Sequence, residues 1–184
     1  MIEIEKTALD GVIVITPRRF GDARGWFSET WNDARLREVG LDLNFIQDNQ
    51  SYSAPRGTLR GLHFQTNPVA QDKLVRVVRG AIIDVAVDLR KASPTFGKHV
   101  AVELTAENGK QLLVPKGFAH GFITTVPDTE VFYKVTAPYS PENDKGLAFN
   151  DPALGIDWGM PESELTLSDK DKLHPVLADL PDYF

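Results

Sequence analysis

Ile82-Ile83-Asp84-Val85-Ala86-Val87-Asp88-Leu89 decides the fold class of this chain. Ile83, Val85, Val87 and Leu89 alternate with Ile82, Asp84, Ala86 and Asp88, which is the period of two expected of an extended strand whose faces meet different surroundings. The same period recurs downstream, where Val131, Tyr133 and Val135 alternate with Glu130, Phe132 and Lys134. Working outward, further strands are expected at 12–15, 26–31, 45–51, 74–78, 100–104, 111–114 and 122–126, with turn signals at 21–25, 55–57, 107–109 and 127–128. One helix is expected, capped by Asn32, with Leu36 and Val39 on one face and Gly40 at its end. A short helical turn is expected near 168–173, and the Pro-, Asp- and Asn-rich segment from Tyr139 onward is expected to be loop wrapped over the sheets. Many short strands with few helices predict an all-β antiparallel sandwich or barrel.

Composition narrows the function classes. The 184 residues suffice for one domain with a sizeable core, and no linker or charge block divides 1–184. Zero cysteines exclude a disulfide framework and any thiolate nucleophile or thiolate metal site. The start, Met1-Ile2-Glu3-Ile4-Glu5-Lys6, lacks the basic and apolar regions of a signal peptide, and no segment supplies the ~20 apolar residues of a membrane span. A cytoplasmic protein without membrane attachment is expected. The net charge of −6 disfavours nucleic acid as a partner, so an anionic small molecule would need a local basic cluster. Arg24, Arg60, Lys73 and Arg76 are candidates, Arg76 being equally readable as half of a structural ion pair.

Two histidines stand in ordered motifs. Gly57 followed after five residues by His63 resembles the opening of the first cupin motif, and Gly109, Pro115, Gly117 and His120 match most of the second. Together they imply a cupin-like antiparallel jelly-roll barrel with a few short helices. A metal-binding cupin usually carries His-x-His and then Glu in its first motif, but here Phe64 and Gln65 follow His63 and Ala70 stands about where the carboxylate would be. Two histidines alone are too few ligands for a stable divalent site, so no metal is expected. Gly57-Thr-Leu-Arg60-Gly-Leu-His63-Phe, Lys73-Leu-Val-Arg76, Pro115-Lys-Gly117-Phe-Ala-His120-Gly121-Phe, Glu130-Val-Phe-Tyr133-Lys, Phe20-Gly-Asp-Ala-Arg24-Gly-Trp-Phe-Ser-Glu29 and Leu167-Ser-Asp-Lys170-Asp171 closely resemble the dTDP-4-dehydrorhamnose 3,5-epimerase family, over nearly the whole chain.

The resemblance implies a cofactor-independent isomerase acting on a dTDP-sugar, dTDP-4-dehydro-6-deoxy-D-glucose, by proton transfer at C3 and C5, the carbons flanking the C4 ketone. An imidazole with a reference pKa near ~6.5 can serve as general base at neutral pH, and the match assigns that role to His63, oriented by Asp171, with Asp169 the weaker candidate. Epimerisation returns a proton to the opposite face, so a second group is required; Tyr133 matches the family's donor. Lys73 falls in the substrate site, where an ammonium would stabilise the enolate oxygen. His120 is expected to donate a hydrogen bond to the sugar. Neither a P-loop nor a strand-associated G-x-G-x-x-G is present, so side chains must hold the nucleotide. Arg60 suits the diphosphate, and Arg24, Glu29, Gln47, Asp48, Asn49, Asp144 and Lys170 align with family contacts. In relatives the N-terminal strands cross to a second subunit, which implies a homodimer whose Arg24 and Glu29 complete the neighbour's site. Rival readings are a relative that inverts only C3 or only C5, a sugar-binding cupin without turnover, and a metal-dependent oxygenase. Pro138 stands where family members often carry an aromatic, a departure bearing on how base or sugar packs.

Overall fold

The computed structural model describes residues 2–184, and strands dominate it. In chain order they are β1 (Ile2–Lys6), β2 (Ile13–Pro17), β3 (Phe20–Asp22), β4 (Gly25–Phe27), β5 (Gln47–Ser53), β6 (Leu59–Gln65), β7 (Lys73–Arg79), β8 (Ala81–Asp88), β9 (His99–Thr105), β10 (Gln111–Val114), β11 (Phe118–Thr124), β12 (Thr129–Val135) and β13 (Asp144–Gly146). Six form one antiparallel sheet in the order β1-β2-β10-β7-β12-β5, and five form a second in the order β13-β6-β11-β8-β9. The two sheets make the cupin-like jelly roll that the histidine motifs implied.

Strand β8 shows how its sequence sets its place. Ile82 and Ala86 face the other sheet, in a core shared with Val75, Val77, Leu112, Phe122 and Val131. Val85 and Val87 face the opposite way, into a second core with Leu62, Phe64, Leu147, Phe149 and Trp158. Both faces are covered, and even Asp84 and Asp88, which interrupt the face of Ile82 and Ala86, are fully buried. The C-terminal segment supplies that second layer, as expected of a loop-rich wrap, and it also contributes β13, paired with β6. Trp158 is held there by its Nε1, which donates to the carbonyl of Phe149 at 2.9 Å.

The predicted helix is α1 (Asp33–Glu38), and the Asn32 side chain accepts from the Arg35 amide, a cap worth about 1 kcal/mol. Leu36 is buried, but Val39 is not on the same face: it is 47% exposed. The helix has already ended, and Val39 sits at the cap with φ −101° and ψ 14°, so the helical i, i+3 spacing no longer applies. The strand expected over 26–31 stops at Phe27, because Trp31 turns inward and packs edge-on against Phe45, 4.7 Å between ring centres. The strand expected over 122–126 begins earlier, at Phe118, and so takes in His120. The helical turn near 168–173 is a single 3-10 turn, Asp171–Leu173.

Candidate active site

Strands β6 and β11 run antiparallel at the centre of the smaller sheet and set His63 opposite His120. Their backbones come close at a register shift beside these residues. A Cβ on Gly61 would lie 2.6 Å from the Gly121 Cα, and one on Gly121 would lie 2.8 Å from the Arg60 carbonyl. Glycine is required at both positions, and the irregularity re-aims the side chains beside it. The two histidines open onto a cavity of about 440 Å³, walled also by Arg60, Lys73, Tyr133 and Lys170.

Each histidine has its own carboxylate. His63 Nε2 stands 2.6 Å from Asp171 Oδ1. Burial alone would raise the Asp171 pKa, but bonds from His63, the Ser168 hydroxyl and the Gly61 amide leave it below the usual carboxylate value. Asp171 is therefore an anion that accepts, and His63 Nε2–H donates, which leaves Nδ1 with the free lone pair. His120 Nε2 pairs in the same way with Asp84 Oδ1 at 2.6 Å, beneath the cavity floor, where Asp84 is fully buried. The sequence reading missed Asp84 as a functional residue; its signal was a carboxylate inside the apolar alternation of β8. Also missed were the cavity-lining Ser51, Thr166 and Ser168, which are ordinary loop and strand-end residues in sequence.

Lys73 opens β7, half-buried, with Nζ 3.4 Å from the His63 carbonyl. Burial lowers its pKa to about 8, partly offset by Asp144 and Asp84. Among the described residues it makes no ion pair, so its ammonium is left to face the cavity. Tyr133, on β12, lines the wall contributed by the other sheet, and burial raises its pKa, against a lowering by Arg60. The phenol is firmly protonated at neutral pH. Arg60 is steadied by the Tyr52 carbonyl at 3.0 Å and the Ser53 hydroxyl at 3.3 Å. Lys170 is paired with Asp144, which anchors it at the rim.

Other expected contacts lie elsewhere. Gln47 bonds Asn49 at 2.9 Å, and Asp48 pairs with Lys134 at 2.8 Å, on the strand outside the cavity lining. Arg24 is paired with Asp22 in the β3–β4 hairpin and Glu29 with Arg35; neither lines this cavity. Arg76 is not half of an ion pair among the described residues; its guanidinium lies over the Phe132 ring at 4.8 Å, because both occupy one face at register-paired positions. At Pro138, the backbone carbonyl accepts from Gln65 Nε2 at 3.0 Å, which ties this segment to β6 without an aromatic ring.

The count of two histidine ligands also needs correction. His174, missed in the sequence, joins His63 and Asp171, with one donor atom from each within 4.8 Å of the others. Tetrahedral ligands ~2.0–2.1 Å from an ion stand about 3.3–3.4 Å apart. The 2.6 Å between His63 and Asp171 is shorter, the length of a charge-assisted hydrogen bond, while the 3.4 Å between His174 and Asp171 falls at that spacing.

The sequence model of the dTDP-4-dehydrorhamnose 3,5-epimerase family matches residues 6–179. A dTDP-4-dehydrorhamnose 3,5-epimerase of Sinorhizobium fredii is 55% identical over 170 residues, 92% of this chain and 87% of that protein. The structure of a dTDP-4-dehydrorhamnose 3,5-epimerase from Bacillus anthracis with TDP and PPi bound superposes with a TM-score of 0.93 at 50% identity, covering 96% of this chain and 99% of the other. A Legionella pneumophila dTDP-6-deoxy-D-glucose-3,5-epimerase, in complex with dTDP-4-keto-L-rhamnose, gives a TM-score of 0.93 at 42% identity, covering 98% and 95%.

Proposed function

The chain belongs to the dTDP-4-dehydrorhamnose 3,5-epimerase family, and from that premise we propose how its residues perform the reaction. It is an isomerase that converts dTDP-4-dehydro-6-deoxy-D-glucose to dTDP-4-dehydro-L-rhamnose. His63 accepts the proton from C3 or C5 on Nδ1, while Asp171 holds Nε2–H and stabilises the imidazolium. The electron pair of the broken C–H bond moves into an enolate on the C4 oxygen, which the Lys73 ammonium stabilises. Tyr133 delivers a proton to the other face of the carbon, after which solvent returns a proton to the phenolate and takes one from the His63 imidazolium. His120, locked by Asp84, hydrogen-bonds the sugar, while Arg60 and Lys170 bind the diphosphate.

The chain works as a single domain over 1–184, in the cytoplasm, as a homodimer that exchanges its N-terminal strands. Nicotinamide and flavin have no part, since proton transfer leaves the oxidation level unchanged, and no metal is called on, because the Lys73 ammonium supplies the charge that stabilises the enolate. Arg24 and Glu29 sit outside their own chain's cavity, which supports their serving the neighbour's. Gln47, Asp48, Asn49 and Asp144 serve as nucleotide-sugar contacts, although none of them lines their own chain's cavity. Among the described residues no helix is long and apolar enough to cross a membrane, and the net charge of −6 argues against nucleic acid.

The observation that carries the mechanism is the anionic Asp171 bonded to His63 at the cavity edge, with protonated Tyr133 lining the same cavity. Proton NMR of the reaction in D2O tests it. His63→Ala should abolish deuterium uptake at both carbons with substrate affinity retained. Tyr133→Phe should keep uptake next to the ketone yet lose inversion, lowering product formation by about 10²-fold or more. Exchange at the wild-type rate in His63→Ala, or full double inversion in Tyr133→Phe, would remove the respective role.

A further inference from the structure

His174 neither lines the cavity nor belongs to the sequence motifs, yet the fold makes room for it beside the base. It follows the Asp171–Leu173 turn and lies over β13, where a Cβ on Gly146 would fall 2.2–2.3 Å from three atoms of the imidazole. Gly146 is register-paired with His63, so the ring is held against the same stretch of β6. The His174 and His63 rings meet edge to face, 5.6 Å between centres and 86° between planes. His174 Nε2 is 3.4 Å from Asp171 Oδ1, the oxygen that already takes the 2.6 Å bond from His63. That nitrogen is buried and has no aligned hydrogen-bond partner, a costly arrangement that asks for a reason.

We propose that His174 is a positioning residue for the base: with Gly146 as its seat, it fixes the plane of the His63 ring and shares the Asp171 oxygen, coupling its own proton to that of His63. The proposal rests on His63 being the base. One carboxylate oxygen cannot stabilise two imidazolium ions well, so at neutral pH the pair carries at most one positive charge, on His63 once it has taken the substrate's proton. Burial favours neutral His174, and the nearby His63 and Lys170 oppose a charge there while Asp171 favours one. These groups, together with Asp144 paired on Lys170 and Lys73 beside the His63 backbone, are the charges that face the trio. In acid, His174 takes the second proton and draws Asp171 away from His63.

The test compares wild type with His174→Gln, which keeps polarity and bulk but cannot titrate, and with Gly146→Ala, which displaces the imidazole while keeping it in the chain. The readouts are kcat and KM at neutral pH and the acid side of the kcat/KM profile. In His174→Gln, kcat should fall about fivefold, the scale of one hydrogen bond, with KM within about twofold. The acid limb should change from a two-proton to a one-proton fall. Gly146→Ala should lower kcat similarly; if that variant unfolds, as circular dichroism would show, the His174→Gln result stands alone. An unchanged kcat together with an unchanged acid limb in His174→Gln would overturn the proposal. Failure of the base assignment is read separately, from deuterium uptake in His63→Ala.

Discussion

Lys73 is where burial and charge oppose each other most usefully. Its ammonium is kept at neutral pH but with a pKa lowered from 10.5 to about 8, because the cavity desolvates it more than Asp144 and Asp84 compensate. A charge poised in this way is strongest where negative charge develops, on the enolate oxygen. Raising the pH through about 8 removes it, so kcat/KM should fall on the alkaline side with a midpoint near 8. Lys73→Arg should abolish that limb, at the expense of a lower plateau from the wider guanidinium; an alkaline limb unchanged in Lys73→Arg would assign it to another group. The same shift acts on stability with a definite sign. Between about 8 and 10.5 the unfolded chain binds a proton that the folded chain has lost, so the penalty of burying the ammonium is full below 8 and fades as pH rises through that window. His63, Lys73, Tyr133 and Arg60 were legible as a group because each lies within an ordered motif. Asp84 and His174 were not: His120, which bonds Asp84, and His63, whose ring meets His174, are 36 and 111 positions away in the chain, and nothing local to either residue announces those contacts.

At the scale of elements, the site depends on how closely β6 and β11 can approach. Gly121 has no room for a methyl group, which would meet the Arg60 carbonyl at 2.8 Å and Leu62 Cδ2 at 3.1 Å. Gly121→Ala should therefore push the strands apart, costing about 1–3 kcal/mol of stability. The corresponding fall in melting temperature is about 2–4 °C per kcal/mol for a domain of this size. Activity should fall further than stability, because His63 and His120 form the register pair that adjoins the shift. A melting temperature and turnover both at wild-type values would show that the strands can absorb the methyl. Strand β6 itself carried little periodic signal, since Arg60 and Gly61 interrupt its alternation and both its faces are largely covered. Strand β1 was missed although Ile2 and Ile4 alternate with Glu3 and Glu5: the run is short, and four of its five residues are exposed. By contrast β10 was read to the residue, because a short apolar run is bounded by a turn and a proline.

The whole molecule leaves one element without a place. The β3–β4 hairpin joins neither large sheet, and it presents Phe20, Trp26 and Phe27 at 47%, 58% and 65% exposure. An isolated two-stranded hairpin with an aromatic face is marginal in water and is stabilised by a covering surface. A second copy of the chain is the cover the proposed dimer supplies, and it would bring Arg24 from the hairpin tip to the neighbour's cavity. Trans placement makes a prediction that placement within one subunit cannot. Arg24→Ala and His63→Ala should each yield inactive dimers. When the two variants are co-expressed with different tags, the mixed dimer carries one site with both defects and one with neither. A twofold dimer formed at random is mixed in half of the molecules, so about a quarter of all sites should regain activity. Purification through both tags raises that share to about half. If Arg24 instead served its own subunit, each site of the mixed dimer would hold one defect, and co-expression would restore nothing.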